Sequence, residues 1–138
     1  MKNKVCVFFY GLFMDQSLLI EKGVNPASPT IGFIDGYQLQ IGKRAMLVKS
    51  AGKKVYGVVM ELTQQELDRL YSEPSVADYK PQNVEVIINN HKTIDAVLYN
   101  VAAKKMEGKN TDYVIKLMNL ANRLGLPEEY IREIMSFA

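Results

Sequence analysis

The sequence is poor in the residue types that most often carry metal or triad chemistry. It has one cysteine and one histidine among 138 residues, and no tryptophan. Cys6 alone cannot form an internal disulfide, and no cysteine spacing typical of a metal site is present. A catalytic triad would have to use His91, which lies in a polar stretch with no nucleophile motif nearby. We therefore expect no metal site and no triad, and interpret His91 as an exposed turn residue.

Neither sign of charge dominates the chain. The 17 basic and 15 acidic residues leave a formal net charge of +2. Nucleic-acid-binding domains usually carry a larger basic excess that is clustered in a patch. The densest basic pairs, at residues 53–54 and 104–105, are interpreted as solvated turn residues. We expect no nucleic-acid partner.

Long apolar runs are also missing. The run over residues 5–14 is far shorter than the roughly 20 residues that span a bilayer. It also lacks the small-residue cleavage site of a signal peptide. A buried first strand explains it better, so the sequence predicts a cytoplasmic protein with no membrane partner.

The apolar periodicity that is present predicts both strands and helices. Strands are predicted over residues 4–10, 31–41, 45–49, 54–62, 81–88 and 93–101. Helices are predicted over residues 15–22, 63–73 and 112–124 and from residue 127 onward, with loops or turns over 25–30, 50–53, 89–92 and 103–110. This order predicts a single α+β domain over residues 1–138, built on a small mixed β-barrel or a strongly curled sheet with flanking helices.

The central helix has the sharpest local signal. Thr63 and Glu66 form a capping box, in which each side chain accepts a hydrogen bond from the other residue's amide. Pro74 disfavours the helical conformation of the residue before it and so ends the helix. That residue is Glu73, which is predicted to lie at the helix end, where the chain turns back into the sheet.

Four local features, read in order, resemble the γ-glutamylcyclotransferase-like family, which includes γ-glutamylamine cyclotransferases and a butirosin-pathway enzyme. The first is an aromatic-rich strand ending in Tyr10-Gly11. The second is the strand over residues 55–59, followed by the capped helix and Glu73.

The other two features lie further along the chain. Tyr79 follows Glu73, and Tyr99 stands in a later strand. Tyr113 precedes Gly-Leu-Pro-Glu-Glu-Tyr over residues 125–130, as in the glutathione-related branch of the family. The resemblance therefore spans almost the whole chain and implies the γ-glutamylcyclotransferase-like fold.

The chain departs from the family pattern at four positions. Leu12 and Phe13 stand where the family usually has Ser or Thr and then Asn or Leu. Tyr71 replaces the usual aspartate, and Pro74 replaces the usual glycine. Because Glu73 itself is present, these changes bear on the identity of the substrate more than on the type of reaction.

The resemblance implies a γ-glutamyl cyclotransferase with lyase or acyltransferase chemistry. The α-amine of a γ-glutamyl substrate would attack its own side-chain amide, giving 5-oxoproline and a free amine, amino acid or peptide, with no cofactor and no metal. Glu73 would be the general acid/base. Substrate would be bound by the loop residues Tyr10, Gly11, Leu12 and Phe13, through backbone amides, and by Tyr79, Tyr99 and Tyr113. Whether the chain acts as a homodimer stays open.

Two other interpretations remain at this point. The chain could be a catalytically silent module that binds a γ-glutamyl or amino-acid-like ligand in the same pocket, with Glu73 an ordinary surface glutamate. It could instead be an interaction protein, which predicts an exposed apolar stripe on the last helix at Tyr130, Ile131, Ile134 and Met135. Arg44 is either an exposed arginine or a partner for a substrate carboxylate.

Overall fold

Five strands close into a barrel in the order β1-β3-β2-β4-β5. The computed structural model describes residues 4–101 and 108–138. The strands are β1 (Lys4–Phe9), β2 (Ala27–Ile41), β3 (Ala45–Thr63), β4 (Lys80–Ile87) and β5 (Thr93–Asn100). This confirms the predicted α+β class and selects the closed barrel over the curled sheet.

The barrel is held by three antiparallel ladders and closed by two short contacts. β3 pairs with β1 on one side and with β2 on the other, and β4 pairs with β5. Val7 then meets Val97 in a parallel β1–β5 contact, and Phe33 meets Ile87 between β2 and β4. Gly57 lies opposite the β1 carbonyl of Phe9, where any Cβ would collide with that oxygen.

Within the described ranges 4–101 and 108–138, four α-helices and two 3-10 turns accompany the barrel. The helices are α1 (Gln16–Glu21), α2 (Gln64–Leu70), α3 (Thr111–Leu124) and α4 (Glu128–Met135), and the 3-10 turns cover Leu12–Met14 and Asn89–His91. Asp15 caps α1 by accepting the Ser17 amide at 3.0 Å. Asn110 caps α3 by accepting the Tyr113 amide at 3.1 Å.

Three predicted boundaries were wrong. Helix α2 ends at Leu70, and Glu73 therefore lies in the turn beyond it. Beyond Leu70, the Ser72 hydroxyl and amide both donate to the Arg69 carbonyl, at 2.7 and 3.3 Å, and Pro74 has no amide to donate to the Leu70 carbonyl. Strand β2 begins at Ala27, within the stretch 25–30 that was predicted to be a loop. Residues 50–53, predicted to be a turn, belong to strand β3, where its pairing with β2 shifts register opposite Gly36.

The predicted turn at residues 89–92 is confirmed, and His91 is exposed there. Most of the predicted loop over 103–110, with the basic pair at 104–105, lies outside the described residues. No helix within residues 4–101 and 108–138 is long and apolar enough to cross a membrane.

The last helix packs on the core. Tyr130 and Ile134 are 5% and 0% exposed, and Ile131 packs against the same buried cluster. Met135 alone of the four residues is largely exposed, at 49%. The apolar stripe expected of an interaction protein is therefore buried.

The capping box predicts how stability depends on pH. Burial alone would raise the pKa of Glu66, but hydrogen bonds from the Thr63 and Asn25 amides, at 2.9 and 2.7 Å, hold it below its usual value. A carboxyl whose pKa is lower in the folded than in the unfolded state stabilises the fold at pH values above its unfolded-state pKa. This stabilisation is lost as the pH falls through the folded-state pKa. Glu66→Gln should cost about 1 kcal/mol at pH 7, the usual size of a helix-cap loss.

This cost should shrink when urea unfolding is repeated at acidic pH, where the wild-type carboxyl is protonated as well. Glu85→Gln is the matched control, because Glu85 is exposed on β4. A Glu66→Gln cost that is the same at neutral and acidic pH would contradict the role assigned to the charge.

Candidate active site

A cavity of about 310 Å³ lies where the loop after β1, helix α1, the turn after α2 and the start of α3 meet. All eight residues singled out from the sequence line it: Tyr10, Gly11, Leu12, Phe13, Glu73, Tyr79, Tyr99 and Tyr113. It is also lined by residues that were not predicted, among them Leu18, Lys22 and Tyr71.

Glu73 is held in this cavity by an ion pair. The Lys22 ammonium donates to both carboxylate oxygens, at 3.0 and 2.9 Å, and the two side chains are 28% and 38% exposed for Lys22 and Glu73 respectively. The turn that carries Glu73 is fixed by the Val76 amide, which donates to the Glu73 carbonyl at 3.0 Å. Glu73 is thus half-buried and oriented, unlike a free surface glutamate.

The loop after β1 is pressed against Tyr113. A Cβ on Gly11 would lie 2.6 Å from the Tyr113 hydroxyl oxygen, so only glycine fits there without movement. The Leu12 amide points to the same hydroxyl at 3.4 Å, the long limit of a hydrogen bond. Burial raises the pKa of Tyr113 to about 12, so this hydroxyl stays protonated at neutral pH. An amide and a hydroxyl donor therefore lie side by side.

Tyr10 anchors the loop after β1 to strand β5. Its hydroxyl donates to the Tyr99 carbonyl at 2.8 Å, and burial raises its pKa well above the usual value. Tyr10 itself is 6% exposed. This hydroxyl is engaged with the barrel, so Tyr10 contributes to the cavity mainly by fixing the loop.

Arg44 and Tyr79 line the same cavity and contact each other. The Arg44 guanidinium binds Asp78 in a bidentate pair, at 2.7 and 2.8 Å, and donates to the Ser75 carbonyl at 2.8 Å. It also lies over the Tyr79 ring, and the Tyr79 hydroxyl donates to the Ala45 carbonyl. Arg44 is therefore partly buried rather than exposed, and its charge is already paired within the protein, while its binding of a substrate carboxylate stays a prediction.

Aromatic rings build the wall beside Glu73. Tyr71 stacks on Tyr99, with ring centres 3.8 Å apart and planes inclined by 8°. Phe13 meets Tyr71 edge-on at 5.9 Å, and Phe9 meets Phe13 edge-on at 6.0 Å. Two of the four departures from the family pattern, Phe13 and Tyr71, therefore contact each other.

Sequence reasoning missed Lys22 and the functional placement of Tyr71. The available signal for Lys22 was its spacing from Leu18, one helical turn earlier, which puts both side chains on one face of α1. Tyr71 was recognised as a departure from the family pattern. Its position as helix cap, two residues before Glu73, turns it toward the cavity.

Solved structures show the same fold at low sequence identity. A γ-glutamyl cyclotransferase is 18% identical, with a TM-score of 0.80 over 99% of this chain and 89% of its own. An uncharacterized protein from Homo sapiens is 20% identical, with a TM-score of 0.81 over 98% and 88%. YkqA from Bacillus subtilis is 23% identical, with a TM-score of 0.78 over 98% of this chain and 54% of its own.

No curated protein sequence matches the chain. The sequence model of the AIG2-like family matches residues 54–134, which include α2, β4, β5, α3, all but the last residue of α4, and Glu73. Together with the closed barrel, this match identifies the chain as a member of the AIG2-like family with a γ-glutamylcyclotransferase-like fold.

Proposed function

We propose that this protein is a γ-glutamyl cyclotransferase that releases 5-oxoproline and a free amine from a small γ-glutamyl substrate. The observation that supports this most directly is the meeting of Glu73 with the amide-bearing loop after β1 in one cavity. Its volume of about 310 Å³ is at the small end of ligand pockets, which span roughly 300–1,000 Å³. Such a space suits a γ-glutamyl amine or amino acid.

The reaction forms one C–N bond and breaks another. The substrate's α-amine attacks its own γ-carbonyl carbon, and the bond from that carbon to the leaving nitrogen breaks. The α-ammonium first gives one proton to solvent and becomes the nucleophilic amine. Glu73 then takes a proton from the attacking nitrogen and returns one to the leaving nitrogen, so it ends as it began. Because both reacting groups belong to one molecule, holding the bent conformer supplies a large effective molarity.

Negative charge develops on the γ-carbonyl oxygen during attack. The Leu12 amide and the Tyr113 hydroxyl are neighbouring donors on the cavity wall, and their mutual contact of 3.4 Å is weak. A substrate oxygen that lies beside both groups and replaces this weak contact would accept from both. Donors fixed in advance in this way lower the barrier because they need no reorganisation as the charge appears.

The Lys22–Glu73 pair binds the two charged groups of the substrate. An incoming γ-glutamyl group carries an α-carboxylate and an α-ammonium. The carboxylate can replace Glu73 as the partner of Lys22, and the ammonium can replace Lys22 as the partner of Glu73. This exchange leaves Glu73 beside the nitrogen whose proton it must remove.

A catalytically silent binding module is the second candidate. The observation in its favour is that Lys22 donates to both oxygens of Glu73, so the charge of the carboxylate is already balanced within the protein. A module of this kind would bind γ-glutamyl compounds and release no 5-oxoproline.

Glu73→Gln tests the proposal directly. The amide cannot exchange a proton, so release of 5-oxoproline from a panel of γ-glutamyl amides should fall by about 10²- to 10⁴-fold. Glu21→Gln is the matched control, because Glu21 is an exposed carboxylate on α1. Equal activity of wild type and Glu73→Gln would remove Glu73 from its role, and binding without turnover by the wild type would favour the silent module.

Gly11→Ala tests the close contact between Gly11 and the Tyr113 hydroxyl. The added Cβ would displace the Tyr113 hydroxyl, and overpacking of this kind typically costs about 1–3 kcal/mol. Adding Tyr113→Phe removes the clashing oxygen, and the nearest remaining atoms are then 3.9 Å from the Cβ. The double variant should therefore regain most of the stability in urea unfolding but not the activity. If stability stays low in the double variant, the clash is elsewhere.

Lys22→Met tests the exchange of ion pairs. Loss of a charged hydrogen bond should raise KM for a γ-glutamyl amide by about tenfold or more. The comparison substrate is 4-aminobutanamide, which closes to a lactam in the same way but has no α-carboxylate, so its KM should change little. Lys92→Met is the control, since Lys92 is exposed on the β4–β5 turn. An equal effect on both substrates would contradict carboxylate binding by Lys22.

A further inference from the structure

We infer that the leaving group of the substrate is apolar, and preferably aromatic, and that it packs on a wall made by Phe13, Leu18 and Tyr71. We call these three residues the apolar wall. The inference rests on the proposed cyclotransferase function, which leaves the leaving group unspecified. All three residues line the cavity that contains Glu73.

Two residues of the apolar wall are linked to the acid/base residue through the chain or through its ion pair. Tyr71 precedes Glu73 by two residues in the same turn, and Leu18 lies one helical turn before Lys22, which contacts Glu73. Glu73 must reach the leaving nitrogen to protonate it, within hydrogen-bond distance or through one water. The substituent on that nitrogen therefore starts beside Glu73, where the apolar wall is its neighbour.

The apolar wall is rigid before any ligand arrives. Tyr71 is backed by the Tyr99 ring at 3.8 Å, and Phe13 is backed by Phe9 at 6.0 Å. Phe13 and Tyr71 in turn contact each other at 5.9 Å. A ligand ring that packs here loses little more than its own freedom, because the protein rings already hold their positions.

The cations that line the cavity offer less to a charged leaving group. The Arg44 guanidinium is bound by Asp78 and by the Ser75 carbonyl. Recruiting it would leave Asp78 without this partner, and breaking a partly buried pair is unfavourable. Lys43 also lines the cavity and is exposed, so it is the competing anchor for an anionic group.

The experiment compares γ-glutamyl amides that differ only in the nitrogen substituent: 2-phenylethyl, ethyl, 2-hydroxyethyl, 2-aminoethyl and carboxymethyl. We expect kcat/KM for the phenylethyl amide to exceed that for the hydroxyethyl amide by at least about tenfold, since one methylene in an apolar pocket can already give that ratio. Faster turnover of the hydroxyethyl, aminoethyl or carboxymethyl amide would overturn the inference and leave the cyclotransferase function standing.

Variants locate the preference. Leu18→Ser should reduce the phenylethyl-to-hydroxyethyl ratio, and Tyr71→Ser should do the same if Leu18→Ser fails to fold. Ile20→Ser is the matched control, because Ile20 lies on the same helix, is 56% exposed and does not line the cavity. An unchanged ratio in both cavity variants would overturn the assignment to the apolar wall.

Binding of the free amines separates this inference from the function on which it rests. Wild type and variants are titrated calorimetrically with 2-phenylethylamine and with ethanolamine. Preference for 2-phenylethylamine that is lost in Leu18→Ser and kept in Ile20→Ser, without release of 5-oxoproline from any amide, would support the apolar wall and reject the enzyme. No preference in binding and none in turnover would reject the inference.

Discussion

The close approach of Gly11 to Tyr113 is the contact on which the candidate site depends. It joins the loop after β1 to helix α3, two segments about a hundred positions apart in the chain, and it leaves no room for a Cβ. Barrel closure makes this approach possible, because β1 is fixed between β3 and β5 and so presents its end to α3. If the loop moved outward, the Leu12 amide would separate from the Tyr113 hydroxyl, and the loop residues that line the cavity would move with it.

Local sequence signals predicted the parts of the fold that short-range physics determines. The capping box at Thr63 and Glu66, the buried first strand and the β4–β5 turn each need only neighbouring residues, and all three are confirmed. The end of α2 was placed three residues too late because Pro74 acts on the Leu70 carbonyl, four residues before it, as well as on Glu73. The Lys22–Glu73 pair spans 51 positions, and no local pattern contains it.

The departures from the family pattern become understandable once they are seen in three dimensions. Phe13 and Tyr71 are distant in sequence, yet their rings touch, and Tyr99 extends the stack. Judged singly, each residue is an isolated departure from the family pattern. Judged together, they form a packed aromatic surface with Tyr99. The resemblance located the cavity residues by position, but only the coordinates relate the changes to one another.

The cations Lys22 and Arg44 differ in how readily a ligand could recruit them. Arg44 has a bidentate carboxylate, a carbonyl and a ring around it, so releasing it would undo several contacts at once. Among the described residues, the hydrogen-bond partner of Lys22 is Glu73, and both side chains reach solvent. A zwitterionic amino-acid group can satisfy both ions of that pair at the same time, so the charge of the cavity is conserved on exchange. Arg44 therefore shapes the wall, whereas Lys22 and Glu73 remain exchangeable.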